Sequence, residues 1–136
     1  MIRSQVNQAR LSGGQRYPLR LLFRVLRAVE TVMGKRSYEV SIAFVSPQTI
    51  RRANRLYRAK DRVTDVLSFQ LTVQEGELLL CYEQAKVQAK EIGHSVRDEL
   101  TFLIIHGMLH LFGHDHERAG DAKKMFALQK KVLAHL

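Results

Sequence analysis

Three histidines near the C-terminal end, His106, His110 and His116, stand at the spacing H-x₃-H-x₅-H. The first two lie in an apolar run, Phe102 to Leu111, that reads as buried helix. On a helix, positions i and i+4 are about 40° apart around the axis and roughly 6 Å along it. Two imidazoles so placed can converge on one cation. Gly113 can end the helix in a left-handed conformation, and the chain then returns with His116, while His114 stands close by. Three protein nitrogens leave a tetrahedral ion one open position, the layout of a catalytic zinc site. A pair of hydrogen-bonded core histidines is the competing reading. Unpaired polar groups are costly in such apolar company, and the third histidine follows directly on a glycine turn, so a metal site is the stronger one.

The spacing also matches the zinc-peptidase pattern H-E-x-x-H-x-x-G-x-x-H at every position except one. Residue 107, where that pattern puts its glutamate base, is glycine. Without that base a peptidase lacks the group that takes the proton from the attacking water. The sequence therefore retains a zincin-like metal helix and discards the peptidase chemistry.

The elements that must position these residues fit in one domain, residues 1–136, with 46% hydrophobic residues to build its core. No run of eighteen apolar residues suggests a membrane span, and no secretory leader is read at the N-terminus. The single cysteine, Cys81, reads as a buried structural thiol, in keeping with a reducing cytoplasm. The net charge of +9 is uneven: residues 1–60 hold thirteen Lys/Arg against two acids, and the remainder nine against eleven. That asymmetry points to a polyanionic partner contacted mainly by the first half.

The periodicity predicts a first helix from Pro18 to Gly34, with Leu22, Val25, Leu26, Val29, Val32 and Met33 inward and Arg20, Arg24 and Arg27 on a solvated side. Residues 1–16 fit either an edge strand or a frayed arm. A strand follows at Tyr38–Val45. A second helix is capped by Ser46 with Pro47 in its first turn, and turns Ile50, Ala53 and Leu56 or Tyr57 inward. Its outer stripe is Arg51, Arg55 and Arg58, thickened by Arg52, Lys60 and Arg62. Val66–Leu71 and Glu77–Tyr82 read as hairpin strands, Glu83–Ile92 as a helix closed by Gly93, and Ser95 as the cap of the histidine helix. A last helix, Asp121–Leu133, turns Met125, Leu128, Val132 and Leu133 inward. The class is α+β.

Two blocks carry a family resemblance. One is Asn54-Arg55-Leu56-Tyr57-Arg58-Ala59-Lys60-Asp61 with Thr64-Asp65-Val66-Leu67-Ser68-Phe69. The other runs from His106 through His110-Leu111-Phe112-Gly113-His114-Asp115 to His116. With Gly93-His94-Ser95 and the Met125–Leu128 segment, the chain over residues 39–133 resembles the YbeY family of bacterial endoribonucleases. The resemblance implies a mixed, mostly parallel sheet packed by helices, and one zinc ion per chain on His106, His110 and His116. It further implies cleavage of single-stranded RNA, a role in ribosomal RNA maturation at the 3′ end of the small-subunit RNA, and ribosome quality control in the cytoplasm. The small ribosomal subunit is the implied partner; no membrane or DNA partner is expected. The family's functional arginine carries over to Arg58. Departures are His114 in place of the usual Tyr, Val63 and Gln70 where prolines are common, and Glu77 where Asp is usual.

The expected chemistry is phosphodiester hydrolysis, with Arg58 as a catalytic side chain making paired hydrogen bonds to the scissile phosphate. Arg51, Arg55, Arg58 and Lys60 would hold the RNA backbone without regard to base. The nucleophile is either a water made acidic by the metal or the RNA 2′-hydroxyl. Asp115 or Glu117 could orient a ligand imidazole. Rival readings are a ribosome-associated RNA-binding module with a structural metal, a zincin-like hydrolase of another substrate, and a basic membrane-surface protein.

Overall fold

The computed structural model describes residues 1–114 and 118–136. The chain runs β1 (Ile2–Asn7), a single 3₁₀ turn (Gly13–Gln15), α1 (Leu19–Met33), β2 (Tyr38–Phe44), α2 (Pro47–Arg58), β3 (Val66–Thr72), β4 (Glu75–Leu80), α3 (Tyr82–Ile92), α4 (Val96–Leu111) and α5 (Ala119–Ala134). The sheet order is β1-β2-β4-β3. β1 pairs with β2, and β2 with β4, in parallel, while β3 and β4 form an antiparallel hairpin. The sheet is therefore mixed and mostly parallel, as the family resemblance implies. Parallel neighbours need long crossovers; α1 makes the first, and α2 with β3 makes the second.

Strand side chains alternate between two faces, and here both faces collect helices. Tyr38, Val40, Ile42 and Phe44 of β2, with Leu78 and Leu80 of β4, share one core with α1, α4 and α5. On the other face Leu67, Phe69 and Leu79 meet α2 through Ile50 and Ala53. Helix α4 is buried nearly all round, at Leu100, Leu103, Ile104, Ile105, Met108, Leu109 and Leu111. An all-round apolar helix must lie inside a domain, and α4 lies between the sheet and the other helices.

Several local expectations are corrected. Pro18 is the residue before the first helical turn of α1, not within it. Residues 2–7 form an edge strand rather than a frayed arm: the Arg27 guanidinium donates to the Ile2 carbonyl, and the Ile2 amide donates to the buried Glu30 carboxylate. Arg27 is thus a tether for β1 and not a solvated side chain. Leu56 and Tyr57 lie exposed, and Asn54 takes the inward place, where its amide donates to the Arg62 carbonyl at 3.0 Å. Leu133 is also exposed, and the inward position on that helix belongs to Gln129.

Candidate functional site

The histidine helix begins with a cap the sequence announces: the Ser95 hydroxyl accepts from the Asp98 amide at 3.0 Å, and Asp98 and Glu99 complement the helix dipole in the first turn. It ends at Phe112, after which Gly113 has φ +93°. The Gly113 amide donates to the His110 carbonyl and the His114 amide to the Leu109 carbonyl, each at 3.0 Å. This paired closure is the Schellman arrangement, which favours glycine at the left-handed position. Phe112 is pinned edge-on by Tyr38 and covered by the Arg36 guanidinium at 4.1 Å.

One turn apart on that helix, the Nε2 atoms of His106 and His110 lie 3.1 Å from each other. Two ligands on one tetrahedral zinc, with bonds of 2.0–2.1 Å, stand about 3.3 Å apart. The pair therefore fits a shared ion, and both rings are only partly buried, so an ion can reach them. Phe102 stacks on the His106 ring with an interplanar angle of 23°. The Gln129 side chain reaches His106 Nδ1 at 2.6 Å from α5. Among the described residues no group of three His, Cys, Asp or Glu side chains is gathered for a metal. His116, Asp115 and Glu117 lie outside the described residues.

Gly107 owes its identity to packing. A Cβ built there would stand 2.7 Å from Leu78 Cδ2 and 3.3 Å from Ser68 Oγ. The Ser68 hydroxyl also donates to the Gly107 carbonyl at 3.2 Å. The helix packs closely on side chains of the β3–β4 hairpin here, and any residue larger than glycine would have to displace the Leu78 side chain.

Facing the histidines is a cleft of about 620 Å³ lined by Arg58, Lys60, Arg62, Asp65, Ser68, His106, His110 and His114, with Thr64, Val66 and Gly113. The sequence separates its two walls by some forty residues. Helix α2 ends so that Arg58 enters the cleft, and Ala59 then adopts a left-handed conformation, φ +56°. This turns Lys60 back toward the same space. Left-handed geometry at a residue with a Cβ costs roughly 1–2 kcal/mol. The loop beyond is fastened by Asp65: its Oδ1 accepts from the Val66 amide at 2.7 Å, and its Oδ2 from Gln88 Nε2 at 3.0 Å. Gln88 Nε2 also donates to the buried Glu99 carboxylate of α4, whose other oxygen meets His94 Nε2 at 3.0 Å. A polar bridge through α3 thus ties the arginine loop to the histidine helix.

The remaining basic residues divide. Arg58 has no hydrogen-bond or ion-pair partner among the described residues, so its guanidinium is available to a ligand. Arg51 is paired with Asp61 at 2.9 Å, and that hydrogen bond holds the Asp61 carboxyl below the usual carboxylate range. Arg51 and Arg55 lie exposed on α2 outside the lining of the cleft. Cys81 is fully buried, and burial pushes its thiol up. No described helix is long and apolar enough to cross a membrane. Two participants escaped the sequence reading, Gln129 and Gln88. Only the first left a signal: it is a polar residue at helical spacing between Met125 and Val132.

Fold and cleft together define a class: an α+β domain in which a buried histidine helix faces a basic loop across a cleft. A family model described as Endoribonuclease YbeY matches residues 12–136. An Endoribonuclease YbeY of Staphylococcus carnosus is 46% identical over 107 residues, covering 70% of each chain. One from Staphylococcus aureus is 42% identical over 109 residues, again 70% of each. The solution structure of TM1509 from Thermotoga maritima superposes with a TM-score of 0.69 at 32% identity, covering 99% of this chain and 88% of that one. The chain belongs to the YbeY endoribonuclease family.

Proposed function

We propose that this chain is a single-strand-specific, zinc-dependent endoribonuclease. It would act in the cytoplasm in ribosomal RNA maturation, at the 3′ end of the small-subunit RNA, and in ribosome quality control, with the small ribosomal subunit as partner. The observation that carries this reading is the cleft that sets Arg58, without a partner among the described residues, together with Lys60 and Arg62 opposite the His106–His110 pair. The family's endoribonucleases supply the reaction class.

His106 and His110 would hold the zinc ion, with His116 as the expected third ligand. A zinc ion so held supplies Lewis acidity toward a phosphoryl oxygen or a water. The protein's own part is electrostatic and positional. A phosphodiester entering the cleft brings its charge beside Arg58, whose planar fork can donate to two phosphoryl oxygens at once. Negative charge grows on those oxygens in the transition state, so the contact strengthens there. Lys60 and Arg62 attract the flanking phosphates without reading bases. Gly107 leaves the helix with no carboxylate at the peptidase base position.

Zinc analysis and single-turnover cleavage of a short single-stranded RNA test the proposal together. The parent is expected to carry about one zinc, in line with three nitrogen ligands, and to lose cleavage with a chelator and regain it with zinc. His110→Ala is expected to lose most of the metal, and His114→Ala to keep it. Equal zinc content in His110→Ala and parent, or cleavage indifferent to chelator, would sink the reading.

A further inference from the structure

Gln129 is a polar side chain in a core position. On α5 it lies four residues after Met125 and three before Val132, both buried, and it is itself only 4% exposed. Its Nε2 stands 2.6 Å from His106 Nδ1. The opposite ring nitrogen of His106 faces His110, and Phe102 lies over the ring plane. The imidazole is therefore held at both edges and on one face, by groups from two helices.

An imidazole that offers its Nε2 lone pair to a cation carries its proton on Nδ1, and that proton needs an acceptor. An amide has one. A half-turn about the last side-chain torsion of Gln129 exchanges its nitrogen and oxygen with almost no change of shape, and that torsion is soft. We propose that Gln129 is a positioning residue for the metal site: its amide oxygen accepts the His106 Nδ1 proton and so directs Nε2 toward the ion. The amide suits this task better than an apolar neighbour, because it can also donate to Nδ1 in the alternative tautomer. The proposal rests on His106 being a zinc ligand. It adds the group that makes it one, from a helix the histidine motif does not include.

The test compares zinc affinity, by competition with a chromophoric chelator, in the parent, Gln129→Met and Gln129→Glu. Urea unfolding of each metal-free protein runs alongside. Met fills nearly the same volume and accepts no proton, so zinc is expected to bind roughly 10- to 100-fold more weakly. Glu accepts and cannot donate, so affinity is expected within a few-fold of the parent, a rescue that packing alone does not provide. Nitrogen-15 spectra of the zinc-loaded parent should place the His106 proton on Nδ1. Equal affinity in parent and Gln129→Met overturns the proposal and leaves the metal reading standing, whereas a proton found on His106 Nε2 takes that nitrogen out of the ligand set and overturns both. A parent that takes up no zinc overturns the metal reading and the proposal with it. Should Gln129→Met shift the metal-free unfolding curve, Gln129→Asn tests the same contact, since its amide stops one methylene short. The same weakening is expected there, and undiminished binding overturns the proposal.

Discussion

Helix α4 is buried on almost every side, while α2 buries only Ile50 and Asn54 and leaves Leu56, Tyr57 and its arginines in solvent. Each brings one half of the cleft. The histidines stand on an element fixed by the main core, with the sheet below and helices around it. Arg58 stands at the end of a helix whose Ile50 is seated on Leu67 and Cys81, with a few partly buried neighbours. Ion binding needs geometry held within tenths of an ångström, and α4 supplies rigid support for it. A backbone-tracking arginine tolerates more movement, and its helix is correspondingly lightly attached. The bridge Asp65–Gln88–Glu99 then joins the lighter half to the heavier one.

Five variants break or sharpen this contrast. Gly107→Glu should have the largest effect, because the position is buried, the new Cβ meets the Leu78 side chain, and a carboxylate would be taken out of water beside it. A loss of at least about 4 kcal/mol is expected, in the range where a core is disrupted, read as the urea midpoint by circular dichroism. A variant as stable as the parent would show that α4 is not fixed by its approach to the hairpin.

Arg58→Lys comes next and acts on rate. Lysine keeps the charge and loses the fork, so single-turnover cleavage should fall about a hundred- to thousand-fold, roughly 3–4 kcal/mol. Zinc content and RNA affinity should stay nearly unchanged. Parental cleavage by this variant would remove Arg58 from the chemistry.

Ile50→Ala should cost about 2–3 kcal/mol, the low end for a buried isoleucine, because the cluster it empties is small. Hydrogen exchange should accelerate in α2 while zinc stays bound. Loss of zinc at the same time would mean that the two halves are not separable.

The smallest effect belongs to Arg51→Ala combined with Arg55→Ala. The slope of log affinity against log salt should flatten by at most about 1.4, at roughly 0.7 per lost single-strand contact, with turnover unaltered. An unaltered slope would take both residues off the RNA track. In Arg51→Ala alone, the Asp61 carboxyl should titrate closer to its ordinary range. Its folded value is depressed, so the pair's contribution is present at neutral pH and fades as pH falls through that value.

The same contrast explains what the sequence could reveal. Helix α4 was legible because a buried helix must be apolar throughout and needs a glycine to close, so Phe102–Leu111 and Gly113 left little choice. On α2 the apolar residues misled. Leu56 and Tyr57 had the right chemistry for a core, yet Asn54 faces inward because the loop carbonyl of Arg62 needs a donor. Such a requirement arises from a chain path that no local pattern encodes. The β1 strand offered only Ile2 and Val6 as alternating apolar residues, and its order depends on Arg27 and Glu30, distant in sequence. Gln129 and Gln88 were hidden for a similar reason: a glutamine in a helix reads as surface until its partner on another element is known. The positions that could do chemistry were visible by type, and their union in one cleft was legible only through the family resemblance.

The close seating of Gly107 on Leu78 and Ser68 also bears on ancestry. Between this motif and a peptidase's there is one codon's difference at residue 107, so mutation alone would cross it readily. What stands in the way is the buried Leu78 side chain, 2.7 Å from where the new Cβ would lie. A lineage passing between the two chemistries would have to repack that contact. The two kinds of hydrolase are neighbours in sequence space, separated at this residue by one buried side-chain contact.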